Sequence, residues 1–274
     1  MARIAICAPS RPITPDLGDR AIALAAAHGH EAVVHPQCYL EDGHFAGPDE
    51  ARLAAFLACA NDPAFDAVWF ARGGYGAGRI AEAAIAGLGP AARRKAYLGY
   101  SDGGMMLGAL YRAGIGRPVH APMVVDLRRP GGGEDAGVRA LDWLGGAADG
   151  LEPSLDERPT VAFNLTTLAM LCGTPLMPDL AGHVVQVEEI CEHLYAVDRL
   201  FNHVTAQLGG IAGIRLGRVS DVPDNDRPFG AEPEDIARDW CRRRGIAFLG
   251  EAMIGHYSAN RIVPFGLAPR TFGA

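Results

Sequence analysis

The segment Gly99-Tyr100-Ser101-Asp102-Gly103 places a serine between an apolar run and a helical pattern, in the form G-x-S-x-G. A serine on a tight strand-to-helix turn projects its Oγ above the sheet. The first free N–H groups of the helix then stand where an oxyanion would form. The same residue types also suit a plain helix cap, since serine and aspartate both satisfy backbone N–H groups at a helix start. The motif by itself leaves both readings open. A second cluster, Arg72-Gly73-Gly74-Tyr75-Gly76-Ala77-Gly78-Arg79, also lies between a strand and a helix. Gly76, Gly78 and Ala81 can be laid on the dinucleotide fingerprint, but the cluster follows the third strand and lacks an acidic ribose ligand at the expected spacing. Gly73 and Gly74 are better suited to close backbone approach to a ligand, with an N–H to offer. An ordinary glycine turn is the alternative.

A serine hydroxyl holds negligible alkoxide at neutral pH, so nucleophilic chemistry here requires a base. Among the nine histidines, His28, His30, His35 and His44 are loosely spaced and form no metal pattern. His120 ends a short strand, and His193 and His203 flank or lie within a helix. His256 differs. In Ile254-Gly255-His256-Tyr257 it follows an apolar strand, where a Gly-flanked loop can present the ring at a sheet edge. An acidic partner is available in Glu188 or Glu189, at the end of an apolar strand. Neighbours on an extended strand point to opposite faces, so only one of the two can reach the imidazole. Val184, Gln186 and Glu188 form the more polar set, which favours Glu188 against a solvent-accessible histidine. A salt-bridged strand end would explain the glutamates equally well.

These side chains need a scaffold, and the chain supplies one. Apolar runs at 3–8, 31–35, 66–71, 96–100 and around 118–121 read as strands. They alternate with helical patterns at 16–28, 48–60, 78–85 and about 102–111. Such alternation predicts a parallel sheet covered on both faces. The stretch 128–134 reads as a flexible surface loop, 136–144 as a helix and 145–159 as a linker rich in Gly, Pro and acidic residues. A second unit follows from about Val161, with helices at 165–172, 194–208 and 232–243 and strands at 184–188, 213–219 and 246–251. The expected fold is therefore α/β. A flavodoxin- or Rossmann-like parallel-sheet domain spans 1–148, a linker 149–160, and a smaller β/α domain 161–274.

Composition bounds the function. The 274 residues are 49% hydrophobic and 21% charged, which excludes wholesale disorder. A net charge of −7 without a block of Lys or Arg weighs against a nucleic-acid partner. No apolar run reaches the roughly 18 residues of a membrane span, and the opening stretch before Pro9 is too short for a secretory signal. Six scattered cysteines without a C-x-x-C pair fit free thiols in a reducing compartment rather than disulfides or a zinc site. The expectation is a cytoplasmic protein, with no metal or other cofactor, acting on something small.

Taken in order, a set of segments resembles the LD-carboxypeptidase family of serine peptidases, which also includes the microcin C immunity peptidases. The segments are Ala8-Pro9-Ser10, Ala71-Arg72-Gly73-Gly74-Tyr75-Gly76, Gly99-Tyr100-Ser101-Asp102 and His120-Ala121-Pro122-Met123. They continue with Asn164-Leu165, Gly173-Thr174-Pro175, Val187-Glu188-Glu189, Val197-Asp198-Arg199, Gly255-His256 and Pro264-Phe265-Gly266, and together span nearly the whole chain. The resemblance implies a Ser–Glu–His triad: Ser101 as nucleophile on the first domain, Glu188 as orienting acid and His256 as general base on the second. It implies backbone N–H groups of Gly74 and Asp102 as oxyanion donors, and a substrate-side turn at Asn164. The implied reaction removes a terminal D-alanine from a cytosolic muropeptide, a step of cell-wall recycling, and the expected assembly is a homodimer. Removal of one terminal residue calls for a cation to meet the free carboxylate, and Arg72 is the nearest candidate in sequence.

The chain departs from the family pattern at three places. Gly103-Gly104 stands where a bulkier pair is usual, Ala162-Phe163 precedes Asn164 where paired glycines are usual, and the stretch 128–160 is short. The short stretch argues against the immunity subgroup, a peptide-adenylate hydrolase. An α/β-hydrolase esterase shares the order Ser, acid, His, and a non-enzymatic binding protein built on the Gly73–Gly78 loop is the remaining competitor.

Overall fold

The computed structural model describes residues 1–266, and strands and helices alternate along them. Strand β1 (Arg3–Cys7) is buried from Ile4 onward. An apolar run with no polar alternation belongs inside a parallel sheet. Accordingly β1 pairs in parallel with both β2 (Glu31–Val34) and β3 (Ala67–Phe70), and β4 (Ala96–Gly99) and β5 (Arg117–His120) extend the sheet in parallel. Ile4 and Ile6 face one core, shared with α1 (Pro15–Ala27) and the helix Gly133–Leu144. Ala5 and Cys7 face the other, shared with α2 (Asp49–Asn61), α3 (Ala77–Ala86) and α4 (Gly104–Ala113). The two-residue period of the strand thus builds both layers. Continuing the numbering, Gly133–Leu144 is α5.

The second sheet is parallel throughout, in the order β6 (Thr160–Asn164), β7 (Val184–Ile190), β8 (Gly213–Ser220), β9 (Phe248–Glu251). Helices α6 (Leu165–Leu171), α7 (Leu194–Gln207) and α8 (Pro233–Arg244) connect its strands. Phe163, Val185 and Val187 lie in one core with Val197 and Phe201 of α7 and Ile236 of α8. The chain then returns to the first sheet. Strand β10 (Val263–Pro264) pairs antiparallel with β5, giving the order β10-β5-β4-β3-β1-β2. No helix among the described residues is long and apolar enough to cross a membrane.

Several local expectations are corrected. The start of the helix after Gly99 is a tight 3-10 turn, Ser101–Gly103, before α4 begins at Gly104. Of the stretch 128–134 read as a loop, only the ends are helical, in a 3-10 helix at Val124–Arg128 and in α5 from Gly133, while 129–132 is a turn between them. Within 149–160, Glu152 is buried, accepting from Ser154 N, Gln186 Nε2 and Met253 N. The departures at 104 and 163 face one another, while Gly103 lies against Phe70. A Cβ on Gly104 would lie 3.4 Å from Phe163 Cδ1 and 3.2 Å from Thr167 Cγ2. Small residues on α4 therefore make room for a large one on β6.

Candidate active site

Three loops meet at the C-terminal ends of neighbouring strands: Ser10 after β1, Arg72-Gly73-Gly74 after β3 and Ser101 after β4. Strand order reverses beside β1, and open α/β sheets gather ligands at such a point. Ser101 has a left-handed backbone, φ 56°. For a non-glycine residue that conformation costs on the order of 1–3 kcal/mol and persists only where neighbours impose it. Here Asp102 anchors the turn: its buried Oδ2 accepts from Ser10 Oγ at 2.5 Å and from Ala77 N at 2.8 Å. Burial pushes the Asp102 carboxyl up, opposed by those two hydrogen bonds. Thr167 Oγ1 donates to the Ser101 carbonyl at 3.2 Å.

The Ser101 side chain caps neither the 3-10 turn nor α4, so the helix-cap alternative does not describe it. Glycine is required opposite it. A Cβ on Gly73 would lie 3.1 Å from Ser101 Oγ, and one on Gly74, at φ 110°, would lie 2.2 Å from Arg11 Cδ. The Gly74 N–H meets no acceptor among the described residues. Asp102 is in the opening turn, whose first N–H groups have no helical acceptor. Both groups are thus free to donate.

His256 Nδ1 lies 2.8 Å from Glu188 Oε2. A carboxylate only accepts, so Nδ1 carries a proton, and the tautomer of the neutral ring that fits this contact has its lone pair on Nε2. The pair forms at an irregularity: the register between β7 and β8 shifts between Val187 and Glu189. Gly217 lies opposite, where a Cβ would come 3.0 Å from Glu188 Cβ and 2.7 Å from the Ile254 carbonyl. Both glutamates are buried, so exposure does not distinguish them. Their partners do. Glu189 accepts from Asn164 Nδ2 at 2.6 Å, Thr166 N at 2.8 Å, Thr166 Oγ1 at 2.7 Å and Ile190 N at 2.9 Å. Burial raises its pKa against those hydrogen bonds. Asn164 in turn caps α6 through Thr167 N.

The His256 ring packs on Tyr100, the residue before Ser101, with centroids 4.8 Å apart. Among the described residues no hydrogen bond joins Ser101 to His256. Such contacts often tighten only with substrate bound. A cavity of about 240 Å³ opens at Ser101, walled by Gly74, Tyr75, Asp102, Met105, Asn164, Thr166, Met170, Glu189 and Glu192. Arg72 is not part of that wall. Its half-buried guanidinium reaches Pro12 O only at 3.5 Å, and burial depresses its pKa, reinforced by the charges of Arg11 and Arg128.

The sequence reading gave no role to Ser10, Thr166, Thr167, Gly217 or Asn260. Only Ser10 carried a usable signal, its place directly after a central parallel strand. Asn260 Oδ1 accepts from Gly255 N at 3.1 Å and contacts His120 Nε2 at 3.0 Å, fastening the loop that bears His256 to the end of β5.

Residues 4–121 match the LD-carboxypeptidase N-terminal domain and residues 159–270 the LD-carboxypeptidase C-terminal domain. The murein tetrapeptide carboxypeptidase of Pseudomonas aeruginosa is 26% identical over 290 residues, covering 96% of this chain and 91% of that protein. The crystal structure of muramoyltetrapeptide carboxypeptidase from Oxalobacter formigenes aligns with a TM-score of 0.78 at 25% identity, covering 98% and 96% of the two chains. Microcin C7 self immunity protein MccF shares the fold, with a TM-score of 0.76 at 16% identity over 97% of this chain and 91% of its own.

Proposed function

The chain belongs to the LD-carboxypeptidase family and is a peptidase, and from that premise we propose that it is a serine carboxypeptidase that removes the terminal D-alanine of muropeptides. The observation that carries the reading is the pair of buried Glu188 with His256, 2.8 Å apart, the His256 ring packed against the residue that precedes Ser101. In this mechanism Ser101 Oγ attacks the carbonyl of the bond between an L-centre and D-alanine, and His256 Nε2 takes its proton. Glu188 stabilises the imidazolium and holds its orientation. The Gly74 and Asp102 N–H groups receive the oxyanion. His256 returns the proton to the leaving amine, D-alanine departs, and water then releases the acyl group from Ser101.

Arg72 is the candidate for the departing residue's carboxylate, supported by its half-buried charge and by Arg11 beside it, whose stem covers Gly74. The nucleophile belongs to a domain over 1–148 and the acid and base to one over 161–274, joined by 149–160, so the site is completed only where the two meet. Free thiols at all six cysteines agree with a cytoplasmic recycling step. The test is incubation with murein tetrapeptide and mass spectrometry of the products. Loss of one alanine, absent with Ser101→Ala, supports the reading, and an unchanged tetrapeptide refutes it.

A further inference from the structure

Arg129 lies outside the triad and outside the cavity wall at Ser101, yet its guanidinium reaches three groups around the base. Nε donates to Asp126 Oδ1 at 2.5 Å, Nη2 to Tyr100 Oη at 3.0 Å, and Nη1 to the His256 carbonyl oxygen at 2.8 Å. Asp126 is buried, accepts from Tyr100 Oη at 2.9 Å, and is held in place by Met123 N at 2.7 Å. Tyr100 supports the His256 ring from one side and is followed directly by the nucleophile. The Arg129 side chain therefore ties the backbone of the base, 127 positions away in sequence, to the residue preceding the nucleophile.

We propose that Arg129 is a positioning residue for the general base, a strut that sets the distance between His256 and Ser101; this rests on the hydrolase reading above. Only a planar guanidinium can donate in three directions at fixed angles, whereas an ammonium is a compact charge on a flexible stem. The carboxylate of Asp126 balances its charge in a buried setting, so the assembly orients without adding net charge beside the imidazole. A misplacement of about 1 Å can cost on the order of 100-fold in rate.

The experiment compares wild type with Arg129→Lys, Arg129→Met and Tyr100→Phe. Three readouts are taken: kcat and KM for D-alanine release from murein tetrapeptide, the rate of Ser101 labelling by a fluorophosphonate, and the circular dichroism melt. Arg129→Lys and Arg129→Met should lower kcat and the labelling rate by roughly 10- to 100-fold, with KM within about threefold. Tyr100→Phe, which removes only the hydroxyl, should lower both several-fold. If Arg129→Met does not fold because Asp126 is left as a buried unpaired charge, the other two variants decide by the same criterion. Folded Arg129→Lys and Tyr100→Phe proteins whose kcat and labelling rate both stay within twofold of wild type overturn the strut. A wild type that is labelled at Ser101 but releases no D-alanine defeats the substrate reading alone, and the labelling rates still test Arg129. A wild type that does neither overturns both.

Discussion

At the scale of single residues, Ser101 is held in a left-handed backbone by partners on three segments, and nothing in the fold uses its hydroxyl as a cap. Strain retained at this half-buried residue, with free N–H donors beside it, is what the proposed attack requires and adds nothing to stability. Ser101→Ala and His256→Ala should each reduce D-alanine release by roughly three orders of magnitude or more. The double variant should be little worse than either, because the groups act as a unit. Near-normal turnover by folded Ser101→Ala would end the nucleophile assignment. The two glutamates give a sharper contrast. Glu188→Gln weakens imidazolium stabilisation and should cost most of the rate. Glu189→Gln sets an amide N–H₂ against donors from Asn164, Thr166 and Ile190, and should cost about 1–3 kcal/mol of stability with a much smaller loss of kcat. Kinetics and thermal melts of the pair check this, and the assignment reverses if only Glu189→Gln loses turnover.

Among the elements, β7 does the selecting. Its alternation sends Val185 and Val187 into the helical core and Gln186 toward Glu152, while the shifted register at Val187/Glu189 accommodates Glu188 beside the loop that bears His256. That arrangement depends on the absence of a side chain at Gly217. Gly217→Ala would place a methyl 2.5 Å from Ile254 Cγ1 and 2.7 Å from its carbonyl, with backbone rather than a flexible side-chain end in the way. The expected outcome is a destabilisation of about 1–3 kcal/mol, together with a fall in kcat as the Glu188–His256 pair is pushed apart. Denaturant unfolding and turnover of Gly217→Ala measure both, and full activity at wild-type stability would show that the bulge is dispensable. The pairing of Gly104 with Phe163 makes the same point for packing: departures on α4 and β6 are complementary in size.

In the whole molecule, the chain returns as β10 to the edge beside β5, and the His256 ring lies against Tyr100, next to Ser101. His120 stands at that junction, fully buried. The Gly255 N–H fixes Asn260 Oδ1 as an acceptor, so His120 Nε2 must donate to it, while Nδ1 meets no partner among the described residues. Burial depresses the His120 pKa. In the unfolded chain a histidine titrates near about 6.5, so below that the unfolded state binds more protons and stability rises with pH. The contribution is complete above the unfolded value and is lost as pH falls through the depressed folded one. The wild-type melting temperature should therefore fall between about pH 7 and 5 by more than that of His120→Gln, whose amide can still donate to Asn260. The difference isolates His120 from Asp102 and Glu189, whose upward shifts act in the opposite sense; parallel curves would remove it from the junction's pH response. The sequence by itself determined the parallel α/β layers, the serine turn and the Gly-flanked histidine, because hydrophobic period, turn chemistry and glycine spacing act over a few neighbouring residues. It did not reveal β10, a two-residue strand with no period to read, nor Arg129, which resembled part of a loop. The preference for Glu188 over Glu189 rested on the family position and on an exposure argument, and burial of both removes the latter. Tertiary structure alone supplied the partners of these groups, since they lie 68 and 127 positions apart and a buried carboxylate is satisfied by the donors that surround it, not by its neighbours in the chain.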